Sequence, residues 1–322
     1  MSTPAMQMLE VNGLRMQVAV QGSGPLVLLC HGFPELWISW RAQLAALAAA
    51  GYRAVAPDMR GYGGTTAPAD ATAYSQLHLV GDMVELVRAL KETQAVIVGH
   101  DWGAPVAWNS ALLRPDIFRA VVGMSVPYSP PGRVEMLAAL RQAGMHSFYL
   151  QYFQTPGVAE AELEHDVGAS IRRIHFGASG EGLALSGRPV FGLLEPGKGF
   201  LDGLAEPQSP PAWWSADDIA HCTTEFTRTG FRGGLNWYRN IQRSWELLSP
   251  WRGQVIRQPS MFIAGASDDV LKFASSAPQI QNFAKTLPGL RGNHILAGAG
   301  HWVQRERAAQ VNTLLIDFLN GL

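Results

Sequence analysis

Cysteine is scarce in this chain of 322 residues: only Cys30 and Cys222 occur, and the first sits inside an apolar run. Two such residues give no basis for a disulfide framework or a cysteine zinc site. H-E-x-x-H is absent and the nine histidines do not pair at metal-ligand spacing, so no metal is expected. Charge of one sign is also missing. A formal net charge of −1 offers no basic surface to capture a phosphate backbone, which sets aside nucleic acid and anionic membranes as partners. No unbroken apolar run approaches membrane-spanning length, and the opening "MSTPAMQMLEVNG" has neither a basic n-region nor an apolar h-region. A cytoplasmic location without membrane contact is expected. "QGSGP" (21–25) and "RGYGG" (60–64) carry spaced glycines, but neither lies between a strand and a helix N-terminus as a phosphate loop would. No nucleotide or other cofactor is expected.

What is present is 47% hydrophobic residues, enough for one large core with an inserted subdomain or for two modest domains. Runs 6–11 and 14–20 flank Asn12-Gly13, a hairpin turn signal. Strands then alternate with helices: "LVLLC" (26–30), a Trp37/Trp40/Leu44/Leu47 stripe, "YRAVAP", a helix over 76–90, and "AVIVG". This is the pattern of an α/β fold, a mostly parallel sheet with helices on both faces. The rhythm breaks after "AVVGMSVPY" (120–128). Helical patterns follow, over 133–143 and over 215–229 with Ser215 at a capping-box position. "PSMFIAG" and "GNHILAG" then restore the sheet pattern, and a last amphipathic helix carries Val311, Leu314, Leu315 and Phe318. The expected organisation is a core over 1–128 and 251–322, interrupted by a helical lid over 129–250.

The stretch "VIVGHDWGAPVAW" (96–108) has the frame of G-x-S-x-G, the sharp strand-to-helix turn that exposes a nucleophile above a sheet, with Asp101 at the central position. Chemistry limits what a carboxylate does there. Attack on an ester or amide would give an anhydride, less stable than the starting material, whereas displacement at a saturated carbon gives an ordinary ester. Asp101 therefore implies an alkylating substrate, with epoxides and alkyl halides as the plausible ones.

"HGFPELWISW" (31–40), "DMRGYGGTTAP", "GHDWGAPVAW", "YLQYFQTPGVAEAELE" (149–164), "GFRGGLNWYRN" (230–240) and "GAGHW" (298–302) resemble the soluble epoxide hydrolases of the α/β-hydrolase fold. The resemblance spans nearly the whole chain. It implies the order nucleophile, acid, histidine in Asp101, Asp268 and His301, the last two just beyond strand ends. His301 would take a proton from water, and Asp268 would hold its ring. Asp269 is adjacent, but "GASDDVL" matches the family with Asp268 in the acid position. The backbone N–H groups of Phe33 and Trp102 would form the oxyanion hole for the nucleophile's own ester. Tyr149 and Tyr238 would donate to the opening epoxide oxygen, a phenol being protonated at neutral pH. Tyr152 competes for the first of these places, although the spacing to the F-Q pair favours Tyr149.

His31 and His100 lie in motifs and are expected to brace loops by hydrogen bonding. Trp213, Trp214 and Trp237 are expected as packing or pocket wall. The expected activity is conversion of a small-molecule epoxide and water to a vicinal diol. A haloalkane or haloacid dehalogenase with the same aspartate is the alternative, and the lid tyrosines argue against it because a departing halide needs no proton. A binding protein that keeps this fold without the reaction is the remaining rival.

Overall fold

A computed structural model describes residues 3–322. Its centre is an eight-stranded sheet: β1 (Ala5–Val11), β2 (Leu14–Gln21), β3 (Leu26–Cys30), β4 (Arg53–Pro57), β5 (Ala95–His100), β6 (Phe118–Met124), β7 (Ser260–Gly265) and β8 (Leu290–Leu296). The spatial order is β1-β2-β4-β3-β5-β6-β7-β8. β1 pairs with β2, and β2 with β4, in antiparallel fashion; every other pairing is parallel. The apolar runs "LVLLC" and "AVIVGH" are buried at every residue, as parallel strands covered on both faces require. β8, at the sheet edge, instead alternates between exposed and half-buried residues. The hairpin turn is at Asn12 and Gly13, both with positive φ.

Helices α1 (Arg41–Ala49), α2 (Gln76–Ala89) and α3 (Gly103–Leu113) link the central strands. The chain leaves β3 for β4 on one side and returns to β5 on the other. Such a reversal of strand order makes the carboxyl ends of β3 and β5 a topological switch point, where open α/β sheets place their sites. The Trp37-to-Leu47 stripe is divided, a 3₁₀ turn over Trp37–Trp40 preceding α1.

Between β6 and β7 lie α4 (Met136–Gln142), α5 (Tyr149–Tyr152), α6 (Val158–His165), α7 (Val167–Gly177), α8 (Gly180–Ser186), α9 (Ala216–Thr229), α10 (Arg232–Arg239) and α11 (Ile241–Leu247). One isolated antiparallel bridge, Phe148 with Leu193, is the β-pairing of this segment among the described residues. The helix expected over 133–143 starts three residues late. Glu135 caps it, its carboxylate accepting the amides of Leu137 and Ala138 at 2.6 and 2.7 Å, so the residues before it remain outside. Ser215 caps α9, its hydroxyl accepting the Asp218 amide at 3.2 Å. The strand expected from "GNHILAG" begins earlier, at Leu290, and ends before Gly298, whose φ of 71° turns the chain toward His301.

Candidate active site

Asp101 sits at the turn from β5 into α3 with φ of 51°, a left-handed conformation that costs a non-glycine residue on the order of 1–3 kcal/mol. The flanking glycines are required by contact. A Cβ on Gly99 would lie 1.9 Å from the carbonyl oxygen of Gly103, and one on Gly103 would lie 2.1 Å from that of Cys30. The nucleophile turn is thus pressed against the end of β3, and the loop after β3 approaches it equally closely. A Cβ on Gly32 would meet Asp101 Oδ1 at 2.2 Å. With no side chain there, the Phe33 amide donates to Asp101 Oδ1 at 2.8 Å. The Trp102 amide, at the entry to α3, donates to no group among the described residues.

Asp268 follows β7 and His301 follows β8, so the sheet brings residues 101, 268 and 301 to one edge. His301 Nδ1 donates to Asp268 Oδ1 at 3.0 Å, and its Nε2 lies 3.5 Å from Asp101 Oδ2. The Asp268 carboxylate also accepts the Val270 amide at 3.0 Å. All three side chains are buried. Burial alone would draw the His301 pKa down, yet the charges of Asp268 and Asp101 on either side hold it well above the ordinary imidazole value. For Asp268 burial pushes upward, and His301, Ser125 and the Val270 amide outweigh it, leaving the carboxyl below its usual range. Asp269 has other work: it accepts the Val190 amide at 2.8 Å and the Lys272 ammonium at 3.3 Å.

Tyr149 and Tyr238 come from α5 and α10, with ring centroids 6.1 Å apart. Burial, reinforced by the charge of Asp101, pushes both phenols well above their ordinary pKa, so both keep their protons. Neither hydroxyl donates to a carbonyl or carboxylate, in contrast to Tyr152, whose hydroxyl donates to Glu162 at 2.7 Å. Gln154 ties the two tyrosine helices together: its amide nitrogen donates to the carbonyls of Leu150 at 2.8 Å and Tyr238 at 3.2 Å. The walls are aromatic. Tyr238 meets Trp102 and Phe153 edge-on at 4.9 Å and Phe33 at 5.4 Å, while Phe191 stands 4.7 Å from the His301 ring.

"RGYGG" proves to be a dock for α10. A Cβ on Gly233 would lie 2.0 Å from the carbonyl oxygen of Gly61, so the two backbones touch, and Trp237 Nε1 donates to the Arg60 carbonyl at 3.1 Å. Tyr238 is the next residue along that helix. His31 accepts the Met59 amide at 2.9 Å, and His100 bridges Glu35 at 2.7 Å and the His301 carbonyl at 2.8 Å.

Sequence reasoning passed over two supporting residues. Glu35 is fully buried and accepts from the Gly32 amide at 3.0 Å, His100, and Gln304 at 3.0 Å. Burial pushes its carboxyl up, but the charge and hydrogen bond of His100 keep it ionised, well below the usual range. The signal was a lone acid inside the apolar stretch "HGFPELW". The other is Ser125, at the end of β6 with φ of 68°, whose hydroxyl is 3.1 Å from His301 Nδ1. Nothing in its local sequence marks it.

Comparison with known proteins agrees with this geometry. Residues 25–182 match the alpha/beta hydrolase fold family. Epoxide hydrolase A of Mycobacterium tuberculosis is 44% identical over 326 residues, covering 100% of this chain and 99% of the relative. An epoxide hydrolase of Caballeronia sordidicola is 43% identical, over 97% of this chain and 92% of its own. The solved structure of an epoxide hydrolase from an endophytic Streptomyces superposes with a TM-score of 0.92 at 45% identity, covering 100% of this chain and 96% of that one. A carboxylate at the nucleophile turn, an Asp–His pair beside it, and relatives of this identity along the full length place the chain in the epoxide hydrolase family of the α/β-hydrolase superfamily.

Proposed function

We propose that the chain converts a small-molecule epoxide and water to a vicinal diol in two half-reactions centred on Asp101. In the first, a carboxylate oxygen of Asp101 attacks a ring carbon, the C–O bond of the epoxide breaks, and the electron pair goes to the oxygen. Tyr149 and Tyr238 donate hydrogen bonds to that oxygen, and one phenol gives it a proton. In the second, neutral His301 takes a proton from water, and the hydroxide attacks the carbonyl carbon of the Asp101 ester. The Phe33 and Trp102 amides receive the negative charge that develops on the ester oxygen. Collapse breaks the ester C–O bond, the proton of the added hydroxyl passes to the departing alkoxide to give the diol and the Asp101 carboxylate, and the proton taken up by His301 makes good the one the phenol gave.

The observation that carries this reading is the carboxylate of Asp101 at the turn after β5, 3.5 Å from His301 Nε2, with two buried phenols that feel its charge and keep their protons. A hydroxyl acceptor in the substrate, rather than a halide, gives those protons a use. Residues 129–250 act as a cap that supplies both tyrosines to a core formed by 1–128 and 251–322. No helix among the described residues is long and apolar enough to cross a membrane.

A single turnover in oxygen-18 water with enzyme in excess tests the order of events. The expected result is label in the Asp101 carboxylate and a mostly unlabelled diol, and His301→Gln is expected to accumulate the alkyl ester on the peptide holding Asp101. Label in the diol on the first turnover, with no adduct in His301→Gln, would remove Asp101 from the role of nucleophile.

A further inference from the structure

One buried cation makes no ion pair among the described residues. Arg305, from the single turn Val303–Glu306, is only 8% exposed. Its guanidinium lies over the faces of Trp214 and Trp213, 5.2 and 5.7 Å from the ring centroids. Its side chain donates no hydrogen bond among the described residues, and Nη1 is fully enclosed without a partner. The two carboxylates whose charge reaches it are engaged elsewhere, Asp218 with Arg41 at 2.7 Å and Glu35 with His100 at 2.7 Å.

The neighbouring donors are unaccepted too. The indole N–H groups of Trp213 and Trp214 are enclosed and make no hydrogen bond. A guanidinium presents five N–H donors and stays protonated even where burial draws its pKa down, as it does here. Buried charges are paired or the protein pays the desolvation cost in full, and aromatic faces return only part of that cost. Arg305 Nη1 and the two indole N–H groups lack an acceptor, and Asp218 Oδ1, though paired in charge with Arg41, is enclosed and makes no hydrogen bond.

We propose that Arg305 and the indole N–H groups of Trp213 and Trp214 form a binding site for a small monovalent inorganic anion of the halide class, at the junction of the core with the helical insertion. One guanidinium and two neutral donors supply one positive charge, which suits a single negative charge. The Asp218 carboxylate nearby disfavours a multivalent one. The enclosing rings favour a weakly hydrated anion, which sheds its water at low cost. Trp214 stacks on His175 at 4.4 Å, and His175 on Trp302 at 4.4 Å, so a bound anion borders an unbroken stack that reaches the residue after His301.

The test uses the full chain dialysed into gluconate and titrated with bromide at constant ionic strength, with gluconate as the balancing anion. Expected is a saturable rise in Tm of a few degrees with a parallel change in tryptophan emission. Both responses should be lost in Arg305→Met. Crystals grown in bromide should show an anomalous peak against the Arg305 fork, and this measurement on the unaltered protein decides the matter if Arg305→Met does not fold. A Tm that follows ionic strength alone, a bromide response that survives in Arg305→Met, or an anomalous map without a peak at Arg305 overturns the proposal.

Discussion

Replacing the two cap tyrosines by phenylalanine isolates the proton-donating half of the proposed reaction. A donor aimed at a developing alkoxide in a water-poor site contributes about 2.7–4 kcal/mol, or on the order of 10²–10³ in rate. The aromatic neighbours here are Phe33, Phe153, Phe191 and Trp102, and the lower end of that range is the conservative value for each donor. The ring centroids are 6.1 Å apart, and if both hydroxyls serve one oxygen, as proposed, the survivor of a single substitution still donates. Tyr149→Phe and Tyr238→Phe are therefore expected to slow alkylation by about 10- to 10²-fold each, and the double variant by about 10⁴-fold, from two donors at about 2.7 kcal/mol. Single-turnover quench with mass detection of the Asp101 ester measures the step directly. Tyr152→Phe is the control: its hydroxyl serves Glu162, so about 1.5–3 kcal/mol of stability is at risk while the alkylation rate stays unchanged. A double variant within tenfold of the parent rate would refute the assignment, and loss of rate in Tyr152→Phe alone would move it to that residue.

Other perturbations probe the remaining parts of the site. Asp101→Asn removes one of the two charges that raise His301, so the imidazole pKa is expected to fall relative to the parent, as nitrogen-15 NMR of the ring would record; an unchanged value would mean that Asp101 does not set it. In the parent, the stability linked to His301 is complete below the unfolded imidazole value of about 6.5 and is lost as pH rises through the higher folded value. Glu35→Gln leaves a buried carboxamide facing three donors and should cost about 3–5 kcal/mol in denaturant unfolding; a loss under 1 kcal/mol would show that the pair with His100 is dispensable. Gly233→Ala puts a methyl group 2.0 Å from the Gly61 carbonyl and should displace α10 at a cost of about 1–3 kcal/mol, slowing alkylation more than ester hydrolysis in single-turnover assays; equal slowing of both would argue against α10 as the carrier of the proton donor.

The fold was legible where local pattern and burial coincide. "LVLLC" and "AVIVGH" announce interior parallel strands because both of their faces are covered, and the break in rhythm after residue 128 announces the insertion. Asp101, Asp268 and His301 were legible as a set through the resemblance of their motifs to a known family, and each follows a strand end, where a parallel sheet gathers its loops. Glu35 was not. Its partners His100 and Gln304 are 65 and 269 residues away, and no local pattern distinguishes a buried carboxylate from a surface one. The use of "RGYGG" was hidden for the same reason, since the contact that explains Gly61 is with Gly233, and only packing reveals that both lack room for a Cβ. Helix boundaries slipped where a capping side chain decided them, as Glu135 did for α4.

The two proposed half-reactions would ask opposite things of His301, and the arrangement of charges can supply both from one imidazole. Before alkylation, Asp101 and Asp268 flank the ring and hold its proton. Ester formation removes the charge of Asp101. Only Asp268 then supports the imidazolium, while the burial that favours the neutral ring is unchanged, and the affinity for the proton drops. The proton released has a destination, because the phenol that protonated the opened epoxide is left as a phenolate whose burial raises its own affinity. Neutral His301 is then the base that ester hydrolysis needs, and it appears only after there is an ester to hydrolyse. A serine at position 101 would carry no charge to lose on acylation and could not gate its base in this way, which is a second reason, besides the instability of anhydrides, for a carboxylate at this turn.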